Sequence, residues 1–110
     1  MVTIGNKSFK TEQQARAYLK KVLNGHGHEL EIQPENLEFV NDLLTYHPQY
    51  HCMKDSGIDL IIVTADKKLD GTYYGPKYFK IIRRDGKRAL TAKGYECIDK
   101  IFNDEQIQLI

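Results

Sequence analysis

Residues 78–90 read Tyr78-Phe79-Lys80-Ile81-Ile82-Arg83-Arg84-Asp85-Gly86-Lys87-Arg88-Ala89-Leu90. Tyr78 to Arg84 predict a strand, with Phe79 and Ile81 toward one face and Tyr78 and Ile82 toward the other. Asp85-Gly86 suits the positive φ angles of a two-residue hairpin turn, so the chain is expected to return through Lys87 to Leu90 as the partner strand. An antiparallel hairpin here, with helical periodicity both before and after it, predicts an α+β domain.

Upstream, Gly57 precedes Ile58 and the run Leu60-Ile61-Ile62-Val63, expected to be a short strand covered on both faces. Asp66 to Pro76, with Asp70-Gly71 and Gly75-Pro76, reads as a polar loop. Further back, Pro34 fits a first helical position, and Leu37, Val40, Leu43 and Leu44 form an apolar stripe with Phe39 beside it; Pro48 is expected to end that helix. His26 to Gln33 reads as a connection. Thr11 with Gln14 three residues on is the reciprocal capping pattern of an earlier helix. That helix carries Ala15, Tyr18, Leu19, Val22 and Leu23 on one face and is stopped by Asn24-Gly25. Val2-Thr3-Ile4 and Lys7-Ser8-Phe9 flank Gly5-Asn6 as a first hairpin. Downstream, Thr91 can cap a last helix bearing Tyr95, Ile98, Ile101 and Phe102, with Gly94 weakening its first turn. Ile107 and Leu109 alternate with Gln106 and Gln108, as in a short strand or a loose tail. The expectation is one α+β domain over 1–110: a mainly antiparallel sheet, two helices from the N-terminal half and one C-terminal helix packed against it.

Length and composition agree with one small core. The chain has 110 residues, 41% hydrophobic and 28% charged, an ordinary globular balance. No apolar run approaches the ~18 residues of a membrane span. The N-terminus resembles neither a signal nor a transit peptide, so a soluble, cytoplasmic protein without membrane partners is expected. Cys52 and Cys97 then read as idle thiols rather than a disulfide.

Sixteen Lys and Arg against fifteen Asp and Glu give a formal charge of +1, which conceals an asymmetry. Between Lys77 and Lys93 stand seven basic residues and one acid, Asp85, a local +6; the rest of the chain carries −5. A two-residue turn at Asp85-Gly86 sets Arg84 opposite Lys87 and Arg83 opposite Arg88, and a glycine bulge sets Arg83 opposite Lys87. Such like-charged pairs cost a few tenths to ~1 kcal/mol each. An anion would relieve that conflict, which makes Lys80, Arg83, Arg84, Lys87, Arg88 and Lys93 a candidate phosphate-contacting set. Tyr74 and Tyr78 adjoin it and could stack unpaired bases. The competing reading is a solvated edge hairpin whose charges prevent strand-to-strand association.

Catalytic and metal signals are thin. His47, His51 and Cys52, with His26 and His28 upstream, invite zinc, but Pro48 interrupts the i,i+4 pair and no CxxC or HExxH occurs. Asp59 with Asp66-Lys67-Lys68 faintly resembles the acid, acid-x-Lys pattern of metal-dependent nucleases. No nucleophilic triad or glycine-rich phosphate loop is present. No catalytic residue, metal site or small-molecule cofactor is therefore assigned.

Ile4-Gly5-x-Lys7-x-Phe9-x-Thr11, Ala15-x-x-Tyr18 and Leu43-Leu44-x-x-His47-Pro48 resemble the DCL-like domain of unknown function, named after the plant "defective chloroplasts and leaves" protein. Gly57-Ile58-x-x-Ile61-x-Val63 and Phe79-x-Ile81-Ile82-Arg83-x-Asp85-Gly86 continue the likeness, which covers most of residues 4 to 98. Leu90-Thr91 stands where the family has Phe-Ser, with a longer spacing to Cys97, and Tyr78 replaces an expected Cys. Plant members are linked to plastid ribosomal RNA maturation, and a similar domain ends the large subunits of plant-specific RNA polymerases. The resemblance implies a non-enzymatic accessory module in RNA maturation or transcription, with RNA a partner ahead of DNA. The alternatives are a protein-interaction module, docking on an acidic partner or forming a homodimer through Ile107, Leu109 and Ile110, and a small metal-dependent nuclease.

Overall fold

The computed structural model describes the backbone of residues 1–108 and the side chains of residues 1–103. The fold is α+β, with a two-stranded and a four-stranded antiparallel sheet and four helices among the described residues. β1 (Val2–Ile4) pairs with β2 (Lys7–Phe9), and Gly5 alone takes a positive φ, 60°, in the turn between them. α1 (Glu12–Asn24) begins at the expected cap: the Gln14 N–H donates to Thr11 Oγ1 at 3.2 Å. In the reciprocal bond the donor lies one residue further back: the Lys10 N–H donates to Gln14 Oε1 at 2.9 Å. Ala15, Leu19, Val22 and Leu23 are buried from this helix, and Tyr18 is half-buried.

α2 (Pro34–Leu44) buries Phe39, Val40, Leu43 and Leu44, so Phe39 is central to the stripe and Leu37 marginal. It ends at Leu44, before Pro48, through a turn in which the His47 N–H reaches Leu44 O at 2.9 Å. Pro48 is followed by a short helix absent from the sequence reading, α3 (Tyr50–Ser56), anchored by fully buried Met53.

The larger sheet has the order β3-β4-β5-β6. β3 (Leu30–Glu31) arises inside the expected connection. β4 (Ile58–Lys67) and β5 (Tyr73–Arg83) are longer than their apolar runs, and the expected loop from Asp66 to Pro76 is mostly strand. The β4–β5 connection closes over Lys68–Thr72: Gly71 N donates to Lys68 O at 2.9 Å, Lys68 N to Thr72 O at 2.8 Å, and Gly71 has φ 89°. That is the three-residue hairpin loop with glycine in the left-handed position. Gly75, Pro76 and Lys77 bulge between the Asp66–Tyr74 and Thr64–Tyr78 pairs, where a proline needs no ladder partner. Nor is β4 covered on both faces. Helices cover only the face of Ile61, Val63, Phe79 and Ile81, while Leu60 is 39% exposed on the other.

The second Asp-Gly pair behaves differently from the first. β6 (Leu90–Ala92) pairs with β5 from Phe79–Ala92 to Ile81–Leu90, and there the ladder stops. The expected opposition of Arg83 to Arg88, or Arg84 to Lys87, is therefore not built; residues 84–89 form an open loop. The Arg84 N–H turns to Gly57 O at 3.0 Å instead, and the ladder thereby avoids setting cation on cation. Thr91 is a strand residue opposite Lys80 rather than a cap. α4 (Tyr95–Gln108) starts from Gly94, φ 85°, whose carbonyl accepts from the Cys97 and Ile98 N–H groups at 3.1 Å. Gln106 to Gln108 are helical, not strand; Leu109 and Ile110, and the side chain of Ile107, lie outside the described residues. No helix among the described residues is long and apolar enough to cross a membrane.

The core joins Leu19, Phe39, Leu43, Met53, Phe79, Ile81 and Ile98, all fully buried. Phe9, Tyr18 and Phe39 pack edge-to-face or tilted at centroid distances of 4.8–6.0 Å. Arg16 bridges α1 to α4 by an ion pair with Asp99. Together these place β5 at the centre, with one face in the core and the other open.

Candidate nucleic-acid interface

The cations expected to contact phosphate are carried by β5, β6 and the loop joining them. Lys80 lies in the cross-sheet row Glu31–Ile62–Lys80–Thr91 on the open face. Lys93 is exposed one residue beyond the Phe79–Ala92 pair. At the opposite end, Arg83 pairs with Ile58, and its Nε is buried without a hydrogen-bond partner. Arg84 is exposed and lays its stem over Gly57, where an added Cβ would meet Arg84 Cδ at 3.1 Å. Lys87 and Arg88 are exposed in the loop. Only Lys87 has an acidic neighbour among the described residues, Asp85 Oδ2 at 4.0 Å. Lys77 is used structurally, its Nζ donating to His26 O at 2.5 Å. From the level of Lys93 to Arg83 the strand runs about 17 Å, the span of about five phosphates on one strand. The cations follow a line along β5–β6 rather than sharing one compact patch.

The tyrosines divide. Tyr73 stacks on His28 at 3.9 Å and 6°, with the Lys67 ammonium 4.9 Å from its centroid, and is committed to the fold. Tyr74 is 49% exposed opposite Asp66. Tyr78 sits opposite Thr64, and its hydroxyl donates to Asp66 Oδ1 at 3.1 Å. Burial, and then that carboxylate, raise the Tyr78 phenol above its ordinary pKa, so it remains a donor at neutral pH. Where β5 and β6 meet the first turn of α4, a cavity of about 410 Å³ is lined by Asp66, Pro76, Tyr78, Thr91, Lys93 and Glu96. Of these, Tyr78 and Lys93 belong to the set expected to contact nucleic acid, and Asp66 stands in the sequence only as part of the nuclease-like acid pattern. Asp66 is expected to open a polar loop after the apolar run Leu60 to Val63, and Glu96 reaches the cavity only through helix packing that is not local in sequence.

The histidines serve separate local structures. His26 is buried, with Nδ1 2.7 Å from Val22 O and Nε2 accepting from the Gln33 N–H at 3.1 Å. His47 accepts from the Gln49 N–H at 3.1 Å, and its Nε2 lies 3.0 Å from Glu96 Oε1. His51 Nε2 lies 3.3 Å from Cys52 Sγ. Among the described residues no three His, Cys, Asp or Glu side chains converge into a metal-binding group. Asp59 and Asp66 both lie on β4, seven residues and about 23 Å apart, too far to share one metal ion. Asp66 is thus a strand residue, not the start of a loop.

The two thiols differ enough to test the packing of α4. Cys97 is fully buried, and burial, with the Glu96 charge adding to it, pushes its pKa up to about 12. At pH 8 about one molecule in ten thousand then carries a thiolate. Cys52 is half-buried on α3. A thiol-disulfide reagent at pH 8 should titrate one thiol in the native protein and the second only after denaturation. Two fast thiols would mean that α4 leaves the core readily.

Over 87% of its length the chain is similar in fold to the solution NMR structure of an uncharacterized protein from Rhodospirillum rubrum. The two share 22% identity at a TM-score of 0.72, and 86% of that chain is covered. No family model matches the sequence, and comparison with curated proteins gives no match. The likeness supports the α+β architecture.

Proposed function

We propose that this domain is a non-enzymatic accessory module that binds nucleic acid, RNA ahead of DNA, along its β5–β6 strand pair. Lys80, Arg83, Arg84, Lys87, Arg88 and Lys93 supply the phosphate contacts, and Tyr74 and Tyr78 supply stacking. One observation carries the reading: five of these six cations have no acidic partner among the described residues, yet they lie on one strand pair and its loop. The cross-strand conflict expected at the tip is absent, so the support is the line of unneutralised charge, not relief of repulsion. The DCL-like resemblance points the same way, toward RNA maturation or transcription.

Titrating fluorescent single-stranded RNA and DNA at several salt concentrations tests it. With four or five phosphates engaged, log affinity should fall against log salt with a slope of about −3 to −4.5. No binding at micromolar protein and low salt would end the proposal.

A further inference from the structure

We propose that the cavity at Asp66, Tyr78 and Lys93 takes one unpaired base of the bound strand and prefers guanine, an inference that rests on the nucleic-acid reading above. The cavity, about 410 Å³, lies in the size range of small-ligand clefts. Its charges are arranged inversely to those of the strand pair: Asp66 and Glu96 line it, and Lys93 alone opposes them. The two carboxylates repel phosphate from this open cleft, whose walls other than Tyr78 are exposed, and the phosphate is held along the cationic line beside it, so the base faces the cleft.

The carboxylates favour a base edge that donates. Asp66 has four acceptor positions on its two oxygens, and the Tyr78 hydroxyl uses one at 3.1 Å, which fixes the carboxylate's orientation. Glu96 is similarly held through Oε1 by His47 Nε2 at 3.0 Å. Guanine presents two adjacent donors, N1–H and the N2 amino group, which one carboxylate can accept in parallel. Uracil presents a single N–H flanked by two carbonyls, which a carboxylate repels. Adenine and cytosine each place one amino group beside an acceptor nitrogen. Tyr78 and Pro76 offer flat apolar surface to the base, the Thr91 hydroxyl can donate to a carbonyl or ribose oxygen, and Lys93 reaches the phosphate at the rim. A base paired within a duplex has its Watson–Crick edge occupied, so the bound strand is single.

The test compares an eight-nucleotide oligouridine with the same strand carrying one central guanosine, by anisotropy at low salt. The guanosine strand should bind about tenfold tighter, the discrimination of one bidentate contact. Asp66→Asn should abolish that difference between the two strands. A second arm needs no variant: guanosine monophosphate, and not uridine monophosphate at the same concentration, should shift the amide resonances of Thr91, Lys93 and Glu96. Equal affinity for both strands, or equal shifts from both nucleotides, overturns the pocket and leaves the phosphate-binding reading standing. No binding of either strand overturns both.

Discussion

Replacing Gly5 by alanine is expected to cost about 3–6 kcal/mol, a large share of the 5–15 kcal/mol that holds a small domain together. Gly5 has φ 60°, a conformation that costs an L-residue roughly 1–2 kcal/mol. An added Cβ would also lie 2.7 Å from Glu38 C, Glu38 O and Phe39 N, all backbone atoms of α2. Backbone inside a helix cannot swing aside as a side-chain tip can, so β1–β2 and α2 must separate, at about 1–3 kcal/mol. Separation also strains the hydrogen bond from the Gly5 N–H to Asp42 Oδ2, 2.6 Å long, worth about another kcal/mol. The midpoint of thermal unfolding should fall by roughly 15–30 °C. Gly71→Ala is the control, because Gly71 has φ 89° with nothing within 4 Å of an added Cβ. It should lose only the conformational cost, about 1–2 kcal/mol. Equal losses would show that the approach of the first hairpin to α2 is not tight.

Residues with a local physical signature were legible in the sequence. Thr11 and Gln14 announced α1, Gly5-Asn6 the first hairpin, and the alternation at Phe79 and Ile81 the buried face of β5. What was missed depends on partners distant in the chain. Asp66 and Tyr74 are polar or exposed and became strand because each pairs with the other across a ladder begun by Ile61 and Ile81. The two Asp-Gly pairs are equivalent as dipeptides, yet Asp70-Gly71 closes a hairpin and Asp85-Gly86 sits in an open loop. Their flanks decide it: Lys67 faces Tyr73, whereas two arginines would face a lysine and an arginine. α3 was too short to show a period and is defined by Met53 filling the core. The cationic line was visible as composition, but its geometry was not: only the ladder shows that Lys80 stands on the open face, while Arg83 keeps its Nε buried. The cavity was invisible because Asp66, Thr91 and Glu96 meet only when β4, β6 and α4 are assembled.

The second large effect separates where the charge lies from how much of it there is. Replacing Lys80, Lys87, Arg88 and Lys93 together by glutamine removes four positive charges from the strand pair and its loop. Arg83 and Arg84 are left in place, because one is half-buried and the other packs over Gly57. At roughly 0.7 kcal/mol per exposed contact, affinity at low salt should fall about 100-fold. The salt slope should shrink by about 0.7–0.9 for each phosphate lost. The matched variant neutralises Lys10, Lys20, Lys54 and Lys100, all exposed and all outside β5, β6 and their loop. Both proteins have the same net charge, so long-range attraction is reduced equally in each. If contacts on the strand pair bind the phosphates, the matched variant should lose less than about threefold and keep its slope, since no counterion release is removed. Parallel losses in the two variants would mean that the protein attracts polyanions only through its total charge, and the line of cations along β5–β6 would revert to a solvated edge that keeps strands of neighbouring molecules apart.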